Sequence, residues 1–180
     1  MTTVTIHTRY PLRSVALYNG VTVLHFGLAT AGLVIAFSRW PILGWLLGVV
    51  YLAFAFVQMY LIMPLKVCPH CVYRTLSDSR CVTGLNLLSP RFSRVRSPEE
   101  FGRRAEGALC HNNLYMTALI APLVLMVIGL VLNYSDAGLA CLLGVAALMA
   151  FRYFVLFMRV ACPHCAMKGR CPNAKAMGIG

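Results

Sequence analysis

Cysteine and histidine recur in one short motif, Cys68-Pro69-His70-Cys71 and again Cys162-Pro163-His164-Cys165, 94 positions further on. Each copy is followed by a third cysteine, Cys81 after nine intervening residues and Cys171 after five. A Cys-x-x-Cys pair with a further cysteine can bind metal, hold an iron–sulfur centre or exchange disulfides. Cys110 and His111 stand just before an apolar run and add two more ligand types. The eighth cysteine, Cys141, lies inside an apolar run, where a small packing role suits it better.

Three chemistries fit these residues. An iron–sulfur centre would draw on Cys68, Cys71 and Cys81 in one half and Cys162, Cys165 and Cys171 in the other, with Cys110 or His111 completing a set. The retention of a third cysteine in both halves favours two three-cysteine sites. A structural zinc would instead take Cys68, Cys71, Cys162 and Cys165 as one tetrahedral all-thiolate site, which leaves Cys81 and Cys171 unexplained. Thiol–disulfide exchange is the third, since CPHC resembles the active-site motif of the DsbA family of disulfide oxidases. That resemblance covers four residues and implies a low-pKa first cysteine. No thioredoxin-like βαβ pattern accompanies it, and a cysteine at the C-terminal end of a helix would have its pKa raised by the dipole. His70 and His164, each beside a cysteine, suit tuning the thiolates or facing water better than binding the same metal.

The elements that must position these residues are apolar. Of the 180 residues 59% are hydrophobic and 12% charged, with a mean hydropathy of +0.74; a soluble domain would be about a quarter charged. Runs at Val15–Phe37, Ile42–Met63, Leu114–Tyr134 and Leu139–Met158 are each long enough for a bilayer, which takes about 20 helical residues. Short turns join them in pairs, so the fold expected is an all-α integral membrane protein of two helical hairpins. The first run is too long for a signal peptide and leads straight into a second, so it is expected to stay as an anchor.

A shift of 94 aligns the CPHC motifs and also Asn19 with Asn113, Gly44 with Gly138 and Ala53 with Ala147. The chain therefore reads as a tandem duplication, 1–94 and 95–180, each half holding two spans, a CPHC and a third cysteine. An even number of spans per half gives parallel repeats, with both motifs on one membrane face. All but Arg39 and Arg152 of the sixteen Lys and Arg lie in the N-terminal segment, the middle loop and the C-terminal tail. The positive-inside rule then puts both termini and the cysteines on the cytoplasmic side of a cell inner membrane. The net charge of +11 is accounted for by topology and anionic lipid, with no need of nucleic acid. In that reducing compartment metal or redox chemistry suits clustered cysteines better than structural disulfides.

Between the halves a loop of about fifty residues runs from Pro64 to Asn113. Ser97-Pro98-Glu99-Glu100 predicts a short helix to about Leu109, and Leu85, Leu87 and Leu88 are placed against the membrane surface. Trp40 and Trp45, with Arg39, fit an aromatic belt at the far interface. His25, Gln58 and Arg152 fall inside spans. Gln58 and Arg152 each precede their motif by ten residues, about 15 Å along a helix. An ionisable residue at that depth is a functional candidate, and these three form a candidate site for a quinone; snorkelling toward the headgroups is the plain alternative for Arg152. The function expected is a membrane electron-transfer subunit passing electrons between a soluble or membrane-bound redox partner and a quinone. A zinc-stabilised membrane scaffold or transport component and a membrane thiol–disulfide oxidoreductase are the alternatives.

Overall fold

The computed structural model describes residues 5–104 and 111–179, and at 103, 104, 111 and 112 the backbone alone. The fold is helical: among the described residues the only β contacts are two isolated bridges, His7 with Cys165 and Arg9 with Arg80. Helix α1 spans Leu12–Ala36 and α2 Pro41–Phe56, the latter continuing as a π-wound segment over Val57–Val67. A short α3, Phe101–Arg104, precedes α4, His111–Leu132. Helix α5, Asp136–Phe151, continues as a π-wound segment over Arg152–Ala161, and α6, Pro172–Ala176, ends the chain. Four helices are long and apolar enough to cross a membrane, the architecture of a multi-pass membrane protein. They correspond to the four expected runs, with α1 beginning three residues earlier and both second helices running on to the CPHC motifs.

Helix α1 is the centre of the bundle, packing against α2, α4 and α5. Its inner stripe of Phe26, Ala29, Leu33 and Ala36 meets Met59, Leu119, Met126 and Leu156 from the others. The outer surface is equally apolar, with Ile42 and Val131 more than 80% exposed, as a lipid-facing surface requires. Because lipid is as apolar as the core, the helices are held by close packing, and small residues set their approach. Gly48 lies against Val34 and Thr30, Gly129 against Ala36, and Gly32 against Met126 and Cys141. Cys141 is thus a packing residue between helices, as its position in the sequence indicates.

At one end of the bundle the tight turns hold Arg39, whose guanidinium lies 5.6 Å from the Trp40 ring centre. At the other end the N-terminal segment, the middle loop and the C-terminal segment form a cap. The loop is a chain of single turns rather than a long helix. Ser97 accepts from the Glu99 N–H at 3.3 Å, and the Pro98–Glu100 turn runs into α3. The rest of the expected helix falls at 105–110, outside the described residues. Leu85 does not lie on the membrane surface: it is buried in the main core beneath the cap, whereas Leu87 and Leu88 are exposed.

Candidate functional site

Both second helices reach their cysteines by the same local route. Winding widens over the last ten or so residues, so that Cys68 N–H bonds to the Met63 carbonyl and Cys162 N–H to the Phe157 carbonyl, five residues back in each case. Pro64 within the first segment lacks an N–H and breaks the ordinary ladder. The second segment has no proline and winds the same way. Each CPHC then closes a tight turn, with Cys71 N–H on the Cys68 carbonyl at 3.0 Å and Cys165 N–H on the Cys162 carbonyl at 3.2 Å. The third cysteines arrive by different devices. Asn86, buried, accepts from Cys81 N–H at 3.0 Å and donates to the Ser79 carbonyl at 3.0 Å, fixing the return of the first loop. Cys171 precedes α6, its N–H on the Lys168 carbonyl at 3.3 Å.

These routes bring Cys68, Cys71, Cys81, Cys162, Cys165 and Cys171 to the wall of one cavity of about 210 Å³, between the bundle and its cap. Met63, Val67, Val82, Phe157 and Met167 supply the apolar remainder, with Phe101 and three tyrosines. Three cysteines from each half of the chain thus line the same cavity. Cys71 is within electrostatic reach of Cys165 and Cys171, and Cys165 of Cys81. Cys110 lies outside the described residues, as does the side chain of His111.

Room for an inorganic group is ample, since a water needs only about 10–15 Å³. A single tetrahedral zinc demands more convergence, its thiolates about 3.8 Å apart for Zn–S bonds of about 2.3 Å. Among the described residues no three His, Cys, Asp or Glu side chains are grouped so as to hold a metal ion.

The cap is tied across the cavity by its N-terminal segment. His7 N–H bonds to the His164 carbonyl at 2.9 Å, and Tyr10 N–H to the Arg80 carbonyl at 2.8 Å. Tyr10, buried and lining the cavity, donates to the Ala161 carbonyl at 2.6 Å. Tyr73 donates to the His7 carbonyl and accepts from Ala166 N–H. The two motif histidines serve this cap: His70 Nδ1 meets the Ser97 carbonyl at 3.1 Å, and His164 Nδ1 meets the Thr5 carbonyl at 2.8 Å while its ring stacks on His7 at 4.7 Å. Sequence reasoning missed Tyr10, Tyr73, His7 and Asn86. Only the nearness of Tyr73 and Asn86 to Cys71 and Cys81 hinted at them.

Burial dominates the electrostatics. It pushes the Cys71 and Cys162 thiols up to about 12, and Cys165 upward as well, with the neighbouring cysteines adding to the shift. Near neutral pH these groups are protonated and poor nucleophiles. A metal cation reverses that, since a coordinated thiol gives up its proton.

Below the cavity lies a buried polar group. Tyr18 lines the cavity floor, and its hydroxyl is 3.1 Å from that of Tyr115. Arg152, 1% exposed, donates through Nη1 to the Tyr115 hydroxyl and through Nη2 to Thr22 Oγ1 at 3.1 Å. Its guanidinium carbon also lies 5.7 Å from the Tyr18 ring centre. His25 is fully buried edge-on to Phe26, within electrostatic reach of Arg152; the Leu119 carbonyl approaches its ring without closing a bond of ordinary geometry. Gln58, fully buried, holds the corresponding place on the first π-wound segment. All three candidates for a quinone site therefore face the bundle interior rather than lipid.

No protein-family model, no curated protein and no solved structure matches this chain.

Proposed function

We propose that this protein is a membrane electron-transfer subunit, with a cysteine-ligated iron–sulfur centre in the cavity that exchanges electrons between a soluble donor and a quinone. The observation that carries this reading is the convergence of six cysteines, three from each half, on one apolar cavity at the membrane end of the cap. Iron–sulfur cores are held by thiolates, and burial and hydrogen bonding around them set their potential. Held by Cys68, Cys71, Cys81, Cys162, Cys165 and Cys171, such a centre would supply one-electron transfer from the donor. Two such transfers, with two protons, reduce a quinone to a quinol. A quinone is the acceptor that suits this placement because it reaches the bundle through lipid. Arg152, Gln58 and His25 are the polar groups proposed to meet it inside the bundle, although the Arg152 donors are already turned to Tyr115 and Thr22.

The halves are copies in this reading. The shift of 94 that aligns the motifs also aligns Gln58 with Arg152, and the Met63 carbonyl with that of Phe157. The basic residues gathered at the cap end make that end cytoplasmic and attract an acidic redox partner.

The test is metal and acid-labile sulfide content, with the absorption spectrum, on protein purified without oxygen in mild detergent. Iron and sulfide in about equal amounts, with a brown chromophore bleached on reduction, are expected. Cys71→Ser and Cys165→Ser, one from each half, should each lose or alter it. Stoichiometric zinc without colour would assign the cavity to a structural scaffold. Metal-free protein whose thiols cycle to disulfides would assign it to thiol exchange.

A further inference from the structure

A guanidinium carries its charge at any accessible pH, and within a membrane protein that charge is costly unless something offsets it. Arg152 is 1% exposed, and its partners are all neutral: the Tyr115 and Thr22 hydroxyls and the faces of Tyr18 and Tyr115. Hydroxyls accept from both of its Nη atoms without cancelling its charge, and its buried Nε–H has no partner among the described residues. Among the described residues no carboxylate pairs with it; the described ion pairs are Arg9 with Asp78 and His70 with Glu100, both in the cap. The cysteine cavity is a place where the fold could hold negative charge close by, since thiols coordinated to a metal cation give up their protons. Tyr18 belongs to the cavity wall and bonds to Tyr115, which bonds to Arg152. The guanidinium is therefore two hydrogen bonds from the cavity.

We propose that Arg152 is the internal counter-charge of the cluster and, through Tyr115 and Tyr18, raises its reduction potential. This rests on the iron–sulfur reading above. An iron–sulfur core with thiolate ligands is net negative and becomes more so when it accepts an electron from a donor. A fixed cation nearby stabilises the reduced form more than the oxidised one, and in a low-dielectric bundle that difference is not screened away. Arg152 does not line the cavity, so it acts as a positioning residue. The equivalent place on the other half is Gln58, which is neutral. Only one half supplies the charge, although both supply cysteines.

The experiment is a potentiometric titration of the reduced protein, followed by absorption and by electron paramagnetic resonance, on wild type, Arg152→Gln, Arg152→Lys and Tyr115→Phe. The glutamine variant is expected to titrate at a lower midpoint potential. The lysine variant should stay near wild type, and Tyr115→Phe should shift downward by less than the glutamine variant. Loss of the cluster from the glutamine variant alone, with lysine retaining it, would equally support a charge requirement. An unchanged midpoint in the glutamine variant overturns the counter-charge while leaving the cluster in place. Loss of the cluster from both Arg152 variants, with Tyr115→Phe titrating as wild type, overturns it too, because shape rather than charge would then be what matters. Wild-type protein without any cluster overturns both this inference and the electron-transfer reading.

Discussion

The Tyr73 hydroxyl donates to the His7 carbonyl at 2.6 Å and accepts from Ala166 N–H at 3.1 Å. One oxygen thus joins the N-terminal segment to the loop that carries Cys165. Tyr73 is 2% exposed, and Tyr73→Phe would deprive the half-buried His7 carbonyl and Ala166 N–H of this partner. A buried polar group left unsatisfied costs about 1–3 kcal/mol. The variant should lower the thermal midpoint in detergent with the helical circular dichroism of the native protein unchanged; an unchanged midpoint would mean that the cap does not hang on this hydroxyl. At this scale the sequence is legible where the chemistry is local. The six cavity cysteines stand out by type and spacing, because Cys-x-x-Cys is closed by a turn inside the motif itself. The residues that arrange them do not stand out, because their partners are distant: Tyr73 bonds to residues 66 and 93 positions away, and Tyr10 to one 151 away. Nothing in a tyrosine marks which remote carbonyl it will meet. The carbonyl partners of His70 and His164 are distant in the same way, at Ser97 and Thr5 in the cap.

Among the elements, the four spans follow from length and hydropathy, and their ends were legible to within a few residues, apart from the run-on of both second helices to the motifs. What hydropathy does not carry is the π-wound ending of those helices. It depends on backbone hydrogen bonds that any apolar sequence can make in either register, and only Pro64 gives a local reason for it. Helix approach is partly legible, through glycines whose roles differ by face. A Cβ on Gly129 would sit 2.8 Å from Ala36 Cβ and 3.1 Å from the Ala36 carbonyl oxygen, whereas one on Gly27 would meet nothing within 4 Å. Gly129→Leu must therefore push α4 off α1, and overpacking of this kind costs about 1–3 kcal/mol. Gly27→Leu, on an exposed face of α1, should leave stability unchanged. Thermal unfolding of the two variants in the same detergent checks the pair, and equal effects would mean that α1 and α4 do not meet as closely as described.

For the whole molecule, the sequence offered a repeat and a charge asymmetry but not the sharing of one cavity. Each motif carries its own cysteines, and neither encodes its distance from the other, so the spacing does not tell that both sets line one cavity. The joining of the halves is done by segments without a repeat partner, above all the stretch from Thr5 to Tyr10 that bonds to both cysteine loops. The same arrangement makes orientation testable. The Ser38 and Asn133 turns are bonded together at one end, 3.2 Å between Ser38 Oγ and Asn133 Nδ2, while the cap and nearly all basic residues lie at the other. Arg91, Arg94 and Arg96 are exposed, and the chain from Ser93 to Ser97 is without helix, so trypsin should cut there wherever it can reach the cap. With the cap in the cytoplasm, inverted membrane vesicles should yield two fragments of similar size, while right-side-out vesicles should be protected there and open to attack only near Arg39. The reverse pattern would put the cysteine cavity on the outer face. A cytoplasmic electron donor would then be impossible, and the oxidising surroundings would favour thiol chemistry over an iron–sulfur centre.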